Sequence, residues 1–502
     1  LIFLVGKKYF SESIGLLGAL LLTFAPWAIR EAHFATTETM LVFFLLVMYL
    51  LTDRYMNSST WKNIAIIGIV SGIAVGAKTI SILFLIIPLT AIILKNLSML
   101  SFPRKRESRQ KNPGSPIGSG MTFRFARILP VFHMTLLILF TILVAFTVSP
   151  YTVLDFSDFK ESMIYESGVA LGKFTVPYTL QFLGTKPYIY QMSTMLWQMG
   201  PVAVLGFAGL IVFTMRALVL LIGTRLNTEY RIMNTAKDKT FSKNFKVFSI
   251  RNSAFSIQNI VFISFPLLYF LYTGSWFAKF ARYNVPFLPL LTLFSAWFIF
   301  YSIDLLNNNR TKILHILLRA SYLIICFLSL LWGIANWTIY TRPQTRIDAS
   351  RWIYKNIPEN ALIYTEHWND GLPIALSDEP LISFKRELLE IYVPDTDAKL
   401  EMYTTKLPKG EYIVLSTRRI WNTMPHLGEK YPLTKRFYEL LLLGKLGYKE
   451  VAIFTSLPTL FGFTLSDRPT EESIEVFDHP EVKIFQNTEK FSKEKILTLL
   501  KN

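Results

Sequence analysis

The 502-residue chain is 52% hydrophobic, 15% aromatic and only 17% charged, against about 25% charged in a typical soluble domain, which excludes an ordinary soluble protein. Its net charge of +17 sits in clusters between apolar runs, the pattern of cytoplasmic loops and anionic headgroups rather than of a nucleic-acid surface. The single cysteine, Cys326, lies within an apolar run, so an intrachain disulfide or a Cys-based metal cluster is excluded.

The first five residues are apolar and run into Gly6-Lys7-Lys8. This reads as the tail of a membrane helix, and the expectation is an N-terminally truncated chain. A crossing helix needs about 20 mostly apolar residues. Nine spans are predicted, at 12–29, 37–52, 63–77, 79–95, 128–149, 193–215, 257–273, 286–303 and 313–337. The glycines and serine of 68–76 suit close helix packing in lipid. The loops at 6–13, 53–62, 95–127, 216–256 and 304–312 hold 22 Lys/Arg, and those at 30–36, 78, 150–192 and 274–285 hold 7. Because positive charge stays in the cytoplasm, the chain is expected to start inside and to carry its C-terminal region outside.

Residues 98–125 are basic and rich in Pro, Gly and Ser, and read as a disordered cytoplasmic insertion resembling a translated genomic repeat, or else as a headgroup-binding loop. Residues 223–256 form a second basic loop without a clear period. From about 340 the long apolar runs stop. Helices are predicted at 344–356, 432–446 and 491–500, and strands at 361–366, 411–416, 449–454 and 482–486. The expected organisation is a polytopic transmembrane domain over 1–338 and an extracytoplasmic α/β domain over 339–502.

Polar residues at membrane depth on the outer side are the places to look for chemistry. The first loop holds Arg30, Glu31, His33 and Glu38 between two apolar runs. Glu38 is suited to bind a divalent metal, orient an acceptor or act as a base; the alternative is that the loop merely caps two helices, with Thr36 and Thr37 as caps. Lys78, between two apolar runs, must snorkel or find an anion such as a lipid phosphate. The loop from Ser149-Pro150-Tyr151 to Tyr190 mixes charges and aromatics in the manner of helices lying on headgroups. Arg282 and Tyr283 precede a helix that begins near Pro286, and arginine matches phosphate in two-point geometry. The stretch Glu366-His367-Trp368-Asn369-Asp370 follows a predicted strand and is suited either to sugar contact or to a structural turn. Phosphate-binding glycine loops, zinc His-Glu-x-x-His motifs and nucleophile-elbow serines are missing from the sequence.

Taken together, residues 6–44, Gly68 to Thr79, Ser149-Pro150-Tyr151, 183–188, 197–201, 282–286, 345–358 and 477–485 resemble the GT-C membrane glycosyltransferases, and more narrowly their protein-mannosyltransferase and aminoarabinose-transferase-like group. The resemblance implies a multi-pass α-helical membrane protein with a C-terminal extracytoplasmic α/β domain, in the plasma (inner) membrane. It implies a polyprenyl-phosphate sugar donor and inverting transfer to a lipid, glycan or protein acceptor. The group's primary acidic residue falls in an outer loop upstream of Leu1, and Glu38 matches its second acidic position, where Asp is usual. Donor phosphate would meet Lys78, Arg282 and Tyr283. Arg30, His33, Tyr151, His367, Trp368 and Asp370 are candidates for substrate contact. A divalent metal is an open option, and nucleic acid is not an expected partner. The competing readings are a lipid-linked glycan flippase or transporter, and a polysaccharide polymerase or ligase.

Overall fold

The computed structural model describes residues 1–101, 119–174, 176–233, 257–306, 312–367, 371–379 and 382–501. The core of the expected basic insertion and most of the 223–256 loop therefore lie outside the described residues, as do Trp368 and Asp370.

Among the described residues six helices are long and apolar enough to cross a membrane: Thr37–Asn57, Thr79–Asn96, Leu129–Val148, Val202–Val219, Leu288–Leu305 and the run Lys312–Asn356, whose apolar helix is Lys312–Trp337. A seventh is the pair Glu12–Thr23 and Pro26–Phe34, bent by 63°. Trp61–Ala77 and Ile257–Thr273 stand where two more spans were expected, but each has only 17 residues, at the short limit for crossing. The expected span at 193–215 is instead two helices, Ile189–Met199 and Val202–Met233. Gly200, at φ +77°, and Pro201 cause the break: the glycine takes a left-handed conformation and the proline supplies no N–H to continue the ladder.

The chain forms two compact units. The first comprises Leu1–Glu166, Gln198–Trp276 and Arg282–Leu330 and is helical. One close helix contact follows the small-residue seam seen in the sequence. Gly68, Gly72 and Gly76 recur one turn apart along Trp61–Ala77 and meet Phe140, Val144 and Val148 of Ser119–Val148. A Cβ on Gly72 would lie 2.6 Å from Val144 Cβ and 2.8 Å from the Thr141 carbonyl, so only glycine permits this approach. Elsewhere aromatic groups supply the packing. The Tyr9 hydroxyl donates to the Tyr49 carbonyl at 3.0 Å and the Tyr49 hydroxyl donates to the Phe262 carbonyl at 2.9 Å, with the three rings in mutual contact.

The second unit comprises Ser167–Trp197, Phe277–Ala281 and Leu331–Asn502. Its strands are β1 Leu362–Glu366, β2 Lys385–Leu389, β3 Tyr412–Leu415, β4 Tyr448–Phe454, β5 Thr459–Leu460, β6 Phe463–Thr464 and β7 Val482–Asn487. Five form one sheet in the order β2-β1-β3-β7-β4, and β5 and β6 form a hairpin. β1 runs parallel to β2 and β3, while β7 is antiparallel to β3 and β4. Successive strand side chains point to opposite faces, and the central strands β1, β3 and β7 are buried on both. Ile363, Val414 and Ile484 join Ala349 and Ile353 of helix Thr345–Asn356 in one core. Tyr364, Ile413, Leu415 and Phe485 join Tyr403, Phe437, Tyr438 and Leu500 in the other.

The predicted strands at 361–366, 411–416, 449–454 and 482–486 coincide with β1, β3, β4 and β7 within a residue or so. The loop expected to lie on headgroups is in part committed to the second core. Phe156–Ala170 is a helix, but the 3₁₀ turn Pro177–Phe182 places Leu180 inside the second core, 3% exposed.

Candidate active site

The turn between Pro26–Phe34 and Thr37–Asn57 carries two buried carboxylates. Ala35 adopts a left-handed conformation, φ 49°, that closes the first helix. Thr36 stands at the N-cap of the second helix but makes no side-chain cap. Its hydroxyl instead donates to Glu31 Oε2. Glu31 is 4% exposed, takes Arg30 Nη1 at 3.5 Å, and offers its carbonyl to the Thr39 hydroxyl at 3.3 Å. The capping alternative therefore fails for Thr36, which is spent on holding Glu31.

Glu38 follows in the first helical turn, 7% exposed, where the helix dipole favours a negative charge. Lys78 comes from the other side. Helix Trp61–Ala77 ends there in an extended residue, φ −158° and ψ 120°, before the 3₁₀ turn Thr79–Leu85. That break aims the lysine at Glu38: Nζ lies 2.5 Å from Oε1 and 3.5 Å from Thr37 Oγ1. The Thr37 hydroxyl donates to the other Glu38 oxygen at 3.1 Å. The anion that Lys78 was expected to need is thus supplied by the protein itself. The lysine side chain remains 36% exposed, so a second anion can still reach it.

Arg282 and Tyr283 lie on the 3₁₀ turn Ala281–Asn284. Arg282 is exposed, with its guanidinium 5.6 Å from the Tyr283 ring centroid. Tyr283 packs edge-on against Trp276 at 5.3 Å and accepts the Tyr269 hydroxyl on its carbonyl at 2.8 Å. Tyr269 also lies within electrostatic range of Glu38. The first unit therefore holds two contacts near the site, Lys78 on Glu38 and Tyr269 on Tyr283. His33 is exposed, with its ring against Phe34, and Tyr151 is 73% exposed at the start of the short helix Tyr151–Leu154. His367 belongs to the second unit, where its N–H extends the β1–β2 pairing to the Leu389 carbonyl at 3.1 Å. Among the described residues no three His, Cys, Asp or Glu side chains converge as a metal cage, so no ligands are assigned to a divalent ion.

Two features escaped the reading of the sequence. One is Glu31, noted in its loop but not singled out beside Glu38. The other is an acidic cluster in the second unit, where Glu471, Glu472 and Glu475 are all buried. Glu471 accepts Gln181 Nε2 at 2.9 Å and the Ala281 N–H at 3.1 Å. Glu472 pairs with Arg419 at 3.3 Å and Glu475 with Arg418. Burial, and then the charge of Glu471, push the Glu472 carboxyl up to about 8 against the pull of Arg419 and Arg418. Burial also raises Glu475. Burial pulls His479 down, but its 2.8 Å bond to Asp467 and the surrounding carboxylates carry it above its ordinary range.

Residues 1–106 of the 502 match the family model of the dolichyl-phosphate-mannose-protein mannosyltransferases. Glu31, Glu38 and Lys78 fall inside the matched segment, while Arg282, Tyr283 and the whole of the second unit follow it. No curated protein matches the chain.

Proposed function

We propose that the chain is the body of a membrane glycosyltransferase that moves a sugar from a polyprenyl-phosphate carrier to a lipid, glycan or protein acceptor at the extracytoplasmic face. The observation that carries this reading is the Glu38–Lys78 pair, a buried carboxylate and a half-exposed ammonium 2.5 Å apart, inside the segment similar to mannosyltransferases that use a lipid-phosphate donor. In the reaction, the bond between the sugar's anomeric carbon and the carrier phosphate breaks and a bond to the acceptor oxygen forms. The acceptor's proton passes to Glu38. The phosphate leaves with its negative charge toward Arg282, whose preset positive charge favours that separation, while Lys78, held 2.5 Å from Glu38, orients that carboxylate toward the acceptor. Tyr269 and Tyr283 hold the turn that carries Arg282.

Sidedness finds support within the second unit. Gln181 lies in the 150–192 loop, which carries only three Lys/Arg in 43 residues, and both its side chain and the Ala281 N–H bond to Glu471 near the C-terminus. Loops that share a carboxylate with the C-terminal sheet domain share its compartment, and the low positive charge of the longer one supports an extracytoplasmic side.

The test uses the purified protein in proteoliposomes with polyprenyl-phosphate mannose labelled in the sugar. Label transferred to an acceptor or released from the carrier, and lost in Glu38→Ala and Arg282→Ala, is the expected result. Movement of intact lipid-linked sugar across the bilayer without cleavage would overturn the proposal in favour of a flippase.

A further inference from the structure

The hairpin of β5 and β6 carries a pair of phenylalanines that no core of its unit absorbs. Phe461 is 83% exposed and Phe463 is 76% exposed. They stand at the tip, where the two loop residues Phe461 and Gly462 have φ +50° and +82°. Positive φ at both positions is the requirement of a type I′ turn, which asparagine and glycine fill without strain. A phenylalanine there holds a large apolar ring at the most exposed point of the ribbon.

The base of this hairpin is tied to the end of a membrane helix. The Thr338 hydroxyl donates to the Thr459 carbonyl at 3.0 Å and accepts the Thr459 N–H at 3.2 Å. Thr338 directly follows Trp337, the last residue of the apolar helix Lys312–Trp337, and Trp337 is 53% exposed. Tryptophan at a span's end marks the headgroup level. Arg342, one turn further, bonds the Leu457 carbonyl at 2.7 Å and is itself exposed, a cation at the depth of lipid phosphates.

We infer that the 459–464 hairpin is a foot that inserts Phe461 and Phe463 into the outer interface of the bilayer, with Trp337 and Arg342 beside it. At about 3.4 Å per residue the two-residue arm from Thr459 to the tip is roughly 7 Å long, long enough to cross the roughly 5–8 Å of one headgroup layer. A protein partner fits less well. Two phenylalanines present about 300–500 Å², short of the roughly 800 Å² that one side of a specific interface buries. The inference rests on Lys312–Trp337 crossing the membrane with its C-terminal end outside, and stands whatever reaction the first unit performs.

The experiment places a nitroxide label on Phe461→Cys in a Cys326→Ser background, with the full chain in vesicles of phosphatidylcholine and phosphatidylglycerol. A control label sits on Lys385→Cys, exposed on strand β2. Relaxation of the Phe461→Cys label by oxygen severalfold stronger, relative to a water-soluble nickel chelate, than that of the control is the expected result. A label at Phe461→Cys that responds as the control does would overturn the inference. So would spin–spin broadening between labelled copies, which would assign the tip to a second chain. Because Phe461 packs into no core, neither result can be attributed to unfolding.

Discussion

Glu38 and Lys78, 40 residues apart in the chain, close a 2.5 Å ion pair between the first turn of one helix and the broken end of another. The glutamate is nearly buried, and the lysine is its cationic partner on the exposed side.

Lys78→Met is therefore expected to leave a buried carboxylate without its counter-ion. The cost is about 2–3 kcal/mol, below the 3–5 kcal/mol of a fully buried pair because the lysine is partly hydrated. Thermal unfolding in detergent reads it as a lowered midpoint. The double variant Glu38→Gln, Lys78→Met should recover most of that stability while leaving sugar transfer abolished. Recovery of transfer in the double variant would refute a chemical role for the pair.

Gly72→Leu should separate Trp61–Ala77 from Ser119–Val148, since even a Cβ at Gly72 would lie 2.6 Å from Val144 Cβ. Overpacking of this kind costs about 1–3 kcal/mol or more. The expected outcome is a lower unfolding midpoint that Val144→Ala does not restore, since that substitution keeps the clashing Cβ and leaves the Thr141 carbonyl in place. An unchanged midpoint in Gly72→Leu would show that the two helices do not approach as described.

Glu471→Ala removes the acceptor shared by Gln181 and Ala281. Hydrogen bonds to a charged group contribute about 1.5–3 kcal/mol each, so both loop segments should loosen. Limited trypsin digestion is predicted to cleave at the exposed Lys173 several times faster than in the parent protein. Equal rates would mean that the core contact of Leu180 alone holds the loop.

The acidic cluster gives a pH dependence of definite sign. Glu472 titrates near 8 in the fold, against an ordinary value of 4.5. Such a carboxyl takes up a proton on folding. Its stabilising contribution is complete below about 4.5 and is lost as pH rises through about 8, a change on the order of a few kcal/mol. Glu475 and His479 are raised as well and act in the same direction. Denaturant unfolding at pH 5 and pH 8 should show a drop that Glu472→Gln flattens. A slope unaffected by that substitution would move the titration elsewhere.

The apolar runs and the short β-rich stretches of the C-terminal region were legible because hydrophobic periodicity is written along the chain. Strand β2 was not, because Lys385, Arg386 and Glu387 are exposed on a sheet edge and read as a loop. Helix Asp397–Lys406 was missed for a related reason. Its Lys399 is wholly buried, donating to Asp395, Thr434 and the Ile391 and Val393 carbonyls, and a lysine flags solvent to any reading by polarity. In the candidate site, Glu38 and Lys78 were each visible as ionisable groups beside apolar runs. Their partnership was not, since it depends on where one helix stops. Gly200-Pro201 was a legible break that the apolar content on either side concealed.

Leu180 occupies the interior of the C-terminal sheet domain although it belongs to a segment encoded more than 150 residues earlier. A gene fragment starting near residue 339 would thus express a domain with a hole in its centre and an orphaned Glu471. Such a fragment is expected to be recovered from inclusion bodies. Supplying residues 167–197 as a fused or separately added peptide is the route to making it soluble.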